Sequence, residues 1–225
     1  MSPTTAGKTA GPSRGKPRPL SKSYLKFENV VNRSLNLLSL QSTLEGWQAA
    51  ESTKLDLSDL TRSAIVLAVA AMDAYFTDVF AERLVRYLKR HGPNNDLIEL
   101  LQSGGFNIRT ALELLAMDRP YRRLRSLMAA RLERHTAQKV EDIDQLFLAY
   151  GLKDFCHNVE RMAKRKNLLG RIRGFVERRH AIVHDGDANT FGKLRGVDHR
   201  EARRRVCDVV TFVGTAEALL SKALG

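Results

Sequence analysis

The sequence predicts an all-α protein, and three observations carry that prediction. Apolar residues recur at helical spacing along most of the chain, and no strand-like alternation persists beyond a few residues. Turn-forming residues are also sparse, with Gly at 15 and Pro at 6 of 225 residues, which disfavours a sandwich or barrel built of many short strands. Hydrophobic residues at 43% and charged residues at 28% are the balance of a globular chain with one substantial core, or at most two small ones. No internal repeat is present.

From Tyr24, an apolar stripe of Leu25, Val30, Val31, Leu35, Leu37, Leu38 and Leu40 predicts a first helix to about Glu45. Ser58 suits the cap of a long second helix over about 59–90. Its middle, SAIVLAVAAMDAYFTDVF, is apolar nearly all round and so reads as the buried central helix. His91-Gly92-Pro93 ends it, because Gly takes a left-handed cap and Pro cannot continue a helix. Shorter helices are predicted over 95–103, 107–117 and 119–135, divided by Gly104-Gly105 and Pro120, then over 140–151 and 153–165. A helix over 168–185 is closed by Gly186. The last helix, about 198–223, starts at Asp198 and buries Val206, Val209, Phe212, Val213, Ala216 and Leu220. Residues 1–20, rich in Ser, Thr, Pro and Gly, read as a disordered basic tail, and 21–225 as one all-helical domain.

Charge points to a partner. Lys and Arg number 37 against 25 Asp and Glu, a net charge of +12. Lys8, Arg14, Lys16, Arg18, Lys22 and Lys26 open the chain with no acid among them. Residues 161–179 hold Arg161, Lys164, Arg165, Lys166, Arg171, Arg173, Arg178 and Arg179 against Glu177 alone. Further clusters are Arg119, Arg122, Arg123, Arg125, Arg131 and Arg134, and Arg203 to Arg205. Solvated helix faces would account for such clusters. A surface for a polyanion accounts for them as well, since clustered positive charge concentrates an anionic ligand and speeds its arrival. RNA is therefore the expected partner, with Lys164, Arg165, Lys166, Arg171, Arg173 and Arg178 as its expected contacts.

Several classes drop out. Two cysteines, Cys156 and Cys207, exclude a disulfide scaffold and a four-Cys zinc module, and both are expected as reduced core thiols. The longest apolar run, Ala64 to Met72, is broken by Asp73 and falls short of the about 20 residues that span a bilayer. With no apolar leader either, a cytoplasmic protein is expected. No Walker loop, G-x-G-x-x-G, G-x-S-x-G or H-E-x-x-H occurs, and no cofactor is expected.

The segment Phe175-Val176-Glu177-Arg178-Arg179-His180-Ala181-Ile182-Val183-His184-Asp185-Gly186-Asp187 carries the candidate chemistry. On a helix, His180 and His184 lie about 40° apart, and Arg179 about 140° from His184, within reach of one groove. Arg clamps a phosphate with a planar fork of donors, and His exchanges a proton near neutral pH. Together they suffice to cleave RNA through its own 2′-hydroxyl.

The string Arg179-His180-Ala181-Ile182-Val183-His184 resembles the R-x4-H signature of HEPN domains, in which a polar residue usually follows the Arg. The helix AVAAMDAYFTDVFAERL resembles the second core helix of HEPN proteins of the RiboL-PSP and related prokaryotic groups, and a terminal helix after the motif fits as well. The likeness covers about residues 25–223. His180 departs from the family, where Asn or Asp is commoner, but keeps a polar group there. The resemblance implies a HEPN-like helical bundle with additional short helices. It implies a metal-independent endoribonuclease, often a toxin or antiviral effector, working as a homodimer with two motifs across a cleft. An antitoxin or other inhibitory partner would then restrain it. Arg179 and His184 are the implied catalytic residues, with His180 completing the catalytic set as a supporting polar group. Asp73, alone in an apolar helix, is the expected support of Arg179, since a buried carboxylate needs a partner; a polar seam would place it there equally well.

Other readings use the same residues. His180, His184, Asp185 and Asp187 offer metal-ligand chemistry, against which the neighbouring Arg would repel a cation. The two histidines also suit a helix end, where the dipole favours positive charge. Cys156 next to His157 suggests a thiol–imidazole pair, yet adjacent helical residues point apart. As a protein of another class, the chain would be a non-catalytic helical module that binds nucleic acid or a partner protein through the same basic faces.

Overall fold

The computed structural model describes residues 20–48, 55–132 and 136–224. The expected tail over 1–20 lies outside the described residues except for Leu20, as do Glu133, Arg134 and His135 at the end of the expected fifth helix. The described residues are all-α, forming nine helices and no strand: α1 Lys22–Gln48, α2 Ser58–His91, α3 Asn95–Ser103, α4 Ile108–Leu115, α5 Pro120–Leu132, α6 Val140–Leu148, α7 Phe155–Ala163, α8 Leu168–His184 and α9 His199–Ala223.

The centre is α2. Its middle is apolar nearly all round because helices cover most of it: α1 runs along it, and α5, α8 and α9 pack on other faces. Ala64, Ala68 and Ala71 are buried small residues on α2. At the first of them α1 comes close enough for Ser34 Oγ to donate to the Ala64 carbonyl at 2.7 Å. Further along, Phe76 touches the rings of Phe147, Phe155 and Phe212 edge-on or tilted, which joins α6, α7 and α9 to the same core. By length and composition alone α2 would cross a bilayer, with a mean hydropathy of 1.7 over its most apolar stretch, 61% of which is buried inside the bundle.

Local chemistry sets several of the helix ends. Gly92 caps α2 at φ 72°, and Asp198 starts α9 by accepting from the Arg200 N–H at 2.8 Å. Ser58, expected as the cap of α2, is instead its first helical residue. Its N–H donates to Asp56 Oδ1 at 2.9 Å, while its hydroxyl accepts from Arg62. The arginine takes the oxygen that a cap would have used. One expectation about the core also changes. Cys156 is buried but Cys207 is exposed; Trp47, a residue type common in cores, is 69% exposed as well. Burial and the nearby Asp144 push the Cys156 thiol up, and its sulfur donates to the Val140 carbonyl rather than to His157.

Three buried carboxylates tie the helices together. Glu217 on α9 accepts from the Ser21 N–H and hydroxyl at 2.9 and 3.0 Å, from Tyr75 at 2.9 Å and from Arg83 at 3.2 Å. Burial beside this carboxylate pushes the Tyr75 hydroxyl well above its usual range. Asp208, also on α9, takes Arg165 at 2.7 Å and Arg171 at 2.8 Å. Asp187, in the loop after α8, is fully buried and takes Arg62 of α2 at 2.8 Å and Arg178 of α8 at 2.7 Å. Both arginines also reach carbonyls at Arg195 and Gly196, so the loop is clamped on both strands of its turn.

Removing the Asp187 carboxylate takes the buried counter-ion from Arg62, whose side chain is 8% exposed, and leaves it only the exposed Asp59 as an acid partner. Asp187→Ala is therefore expected to cost about 3–5 kcal/mol in urea unfolding. Asp78→Ala, which breaks the exposed pair with Lys26, is expected to cost less than about 1 kcal/mol. Equal midpoints for the two variants would contradict this ranking.

Candidate active site at the end of α8

The inward face of α8 is Leu168, Leu169, Ile172, Phe175 and Val176, all buried. Arg179 follows Phe175 by four residues and Val176 by three, so it continues that stripe as the helix leaves the core. This accounts for its half-buried state. Its Nε is buried without a hydrogen-bond partner, and among the described residues Arg179 enters no ion pair.

His180 and His184 stand one turn apart with their rings stacked, centroids 5.7 Å apart and planes at 14°. His184 is exposed in the last turn and His180 half-buried. Loss of hydration lowers the His180 pKa from the ordinary value, and the charges of Arg179, His184 and Lys139 lower it further. The neutral imidazole is therefore the favoured form at His180 near neutral pH. The motif thus sets an unpaired guanidinium beside two imidazoles, one of which is kept from charging.

Asp73 does not pair with Arg179. Its two oxygens accept from the Ala137 N–H at 2.6 Å and from Gln138 Nε2 at 2.8 Å. The reason is backbone accounting: Ala137 is fully buried and its N–H needs an acceptor, which this carboxylate supplies. Asp73 holds the segment that leads into α6, where Lys139 adds its charge to the field at His180. Gln138 Oε1 is buried and unpartnered in the same segment.

The six expected RNA contacts separate into groups. Arg178 is turned inward onto Asp187, a structural duty that a helix imposes on the residue before Arg179. Arg165 and Arg171 share Asp208, and Arg173 pairs with Glu141 at 2.8 Å. Lys164 and Lys166 are exposed and enter no ion pair among the described residues. The alternative metal set is not brought together either, because Asp187 faces two arginines rather than the imidazoles.

Two clefts formed by described residues are not lined by the motif. They lie along α8 and α9, with volumes of about 550 and 810 Å³, and neither includes Arg179, His180 or His184. Arg200 lines the larger one and belonged to no charge cluster in the sequence. Its helical spacing from Arg203 and Arg204 is the signal that marks it. Beside the motif, Val183 on α8 and Phe191 and Leu194 in the following loop are exposed apolar side chains. On the same helix, Phe175 is buried in the core and Ile182 is half-buried.

No family model, curated protein or solved structure matches the chain.

The field at His180 can be measured directly. In a histidine NMR titration its midpoint is expected below the ordinary 6.5, and Arg179→Ala is expected to raise it. Because the folded value is the lower one, protonation favours the unfolded chain. His180 therefore leaves stability unchanged above pH 6.5 and lowers it as pH falls below that value. A midpoint at or above the ordinary value would contradict the geometry.

Proposed function

We propose that the protein is a metal-independent endoribonuclease of HEPN type. The observation that carries this reading is the unpaired, half-buried Arg179 beside the stacked imidazoles of His180 and His184. A guanidinium without a counter-ion is poised for an anion, and a phosphodiester is the anion on which this pair of proton-transfer groups can act.

In the reaction, a neutral imidazole removes the proton from a 2′-hydroxyl. The freed oxygen attacks the adjacent phosphorus, and the bond from phosphorus to the 5′-oxygen breaks. An imidazolium then gives its proton to that oxygen. The products are a 2′,3′-cyclic phosphate and a 5′-hydroxyl, and Arg179 stabilises the charge that builds on the phosphoryl oxygens. The lowered pKa of His180 suits it to the base. His184, exposed in the last turn one helical turn from His180, is placed to act as the acid. A homodimer that brings two such motifs face to face would double these groups, and Val183, Phe191 and Leu194 supply apolar surface for the contact. RNA in the cytoplasm is the substrate this reading assigns, with a toxin or antiviral effector, restrained by an inhibitory partner, as its setting.

The second reading, a non-catalytic module for nucleic acid, is favoured by the position of the large basic cleft, which the motif does not line.

The two readings separate in one assay. Purified protein in EDTA is expected to cleave RNA to cyclic-phosphate ends and to leave fully 2′-O-methylated RNA intact. His184→Ala is expected to lower the rate by about 10²–10⁴-fold. Cleavage that disappears in EDTA and returns with Mg²⁺ would overturn metal independence. RNA bound but never cut by the wild-type protein would leave the binding module.

A further inference from the structure

We infer that the trench between α8 and α9 is a binding site for a single RNA strand, distinct from the Arg179–His184 motif. It holds the phosphate backbone at its basic end and a nucleobase at its glycine-walled end. The inference rests on RNA being the ligand class proposed above.

The two clefts are one trench, because Arg171, Glu201 and Arg205 line both. The larger part, about 810 Å³, is lined by seven cationic side chains and only two carboxylates. Those two acids do not neutralise it; they set the arginines in place. Asp208 fixes Arg165 and Arg171 from below, and Glu201 holds Arg204 and Arg205 at 2.5 and 2.7 Å. Among the described residues Lys166 and Arg200 enter no ion pair, which leaves them free for a ligand. A guanidinium held in advance loses less freedom when it binds.

Length argues for a strand over a single phosphate. Arg200 and Arg204 stand one turn apart, about 6 Å along the axis, so the row meets successive charges of a polyanion. No aromatic side chain lines this end, so it reads backbone rather than stacking bases. The narrower part, about 550 Å³, differs in chemistry. Gly174 opens the α8 wall, the Asn167 carboxamide fills the space beside Gly170, and Ile65, Val197 and Ala202 supply apolar lining. A Cβ at Gly174 would meet nothing within 4 Å, so open space stands there. A flat apolar group flanked by Arg171 and Arg205 is what such a slot admits. A bilayer is the poorer fit, because the apolar lining is recessed between helices rather than projecting.

The test uses the full chain and a fluorescent, fully 2′-O-methylated single-stranded RNA, which the proposed chemistry cannot cut, read by anisotropy. The combined variant Lys166→Ser, Arg200→Ser and Arg204→Ser removes charges that lie in no buried pair. It is expected to weaken binding at least about tenfold and to reduce the salt slope by about 2. Gly174→Leu fills the slot and is expected to weaken binding without altering the slope. His184→Ala is expected to bind like wild type. Circular dichroism and the urea midpoint establish that each variant is folded. A folded triple variant that binds within about twofold of wild type, with an unchanged slope, overturns the inference. So does a loss in His184→Ala equal to that in the triple variant, or tight binding to phosphatidylserine vesicles with none to RNA. A protein that binds through the trench yet never cleaves RNA refutes the ribonuclease reading alone.

Discussion

The motif end of the molecule depends on the burial of one carboxylate. Asp187 has no exposed surface and lies beyond the end of α8 with a backbone φ of 59°. A lone carboxylate there would be strongly unfavourable, so two guanidiniums must come to it. One arrives from the first turn of α2 and the other from α8. Their remaining donors meet carbonyls at Arg195 and Gly196 on the returning strand of the loop. Fixing this single acid therefore fixes where α8 stops, how the loop returns to α9 and how the motif is aimed. Glu217 repeats the solution at the far end, where Arg83 reaches it from the other half of α2. Arg62 and Arg83 are 21 residues apart on one helix, about 31 Å, so α2 is pinned by a buried ion pair near each end.

This changes what the excess of arginine means. Arg62, Arg83, Arg165, Arg171 and Arg178 each satisfy a buried acid. Arginine is the residue suited to that work, because it stays charged when buried and donates in a planar fork. A carboxylate shared by two guanidiniums still leaves one positive charge at the surface. The clamps at Asp187 and Asp208 therefore serve twice, joining helices while keeping the α8–α9 face positive. Arg179 stands outside this system, and its lack of an acid partner is what marks it among its neighbours.

Helices were legible because their periodicity is a local signal. The bounds of α3, α8 and α9 agree with the spacing to within a residue or so. The placement of His180 and His184 on one face was legible for the same reason, since one turn of helix decides it. What was not legible is which distant group each charge meets. Asp73 was matched to an arginine on the expectation that a buried acid needs a cation, and it was taken by a backbone N–H from 64 residues away. Nothing in the local pattern reveals that demand. Arg178 and Arg179 look alike in sequence, and only the tertiary position of Asp187 separates them. Trp47 and Cys207 show the converse: residue types common in cores, placed on faces that no other helix covers.

That separation of neighbouring arginines has a further consequence. Successive residues on a helix point about 100° apart, so Arg178 and Arg179 cannot share a duty. Arg178 faces the loop and lines the narrower part of the trench, while Arg179 lies beyond it toward the imidazoles. Shifting the helix by one residue would bring Arg179 under the loop onto Asp187 and leave no unpaired guanidinium for the motif. The clamp on Asp187 sets the register that keeps them apart. A stability element and a candidate catalytic element are in this way built from adjacent residues, and the geometry of one decides the availability of the other.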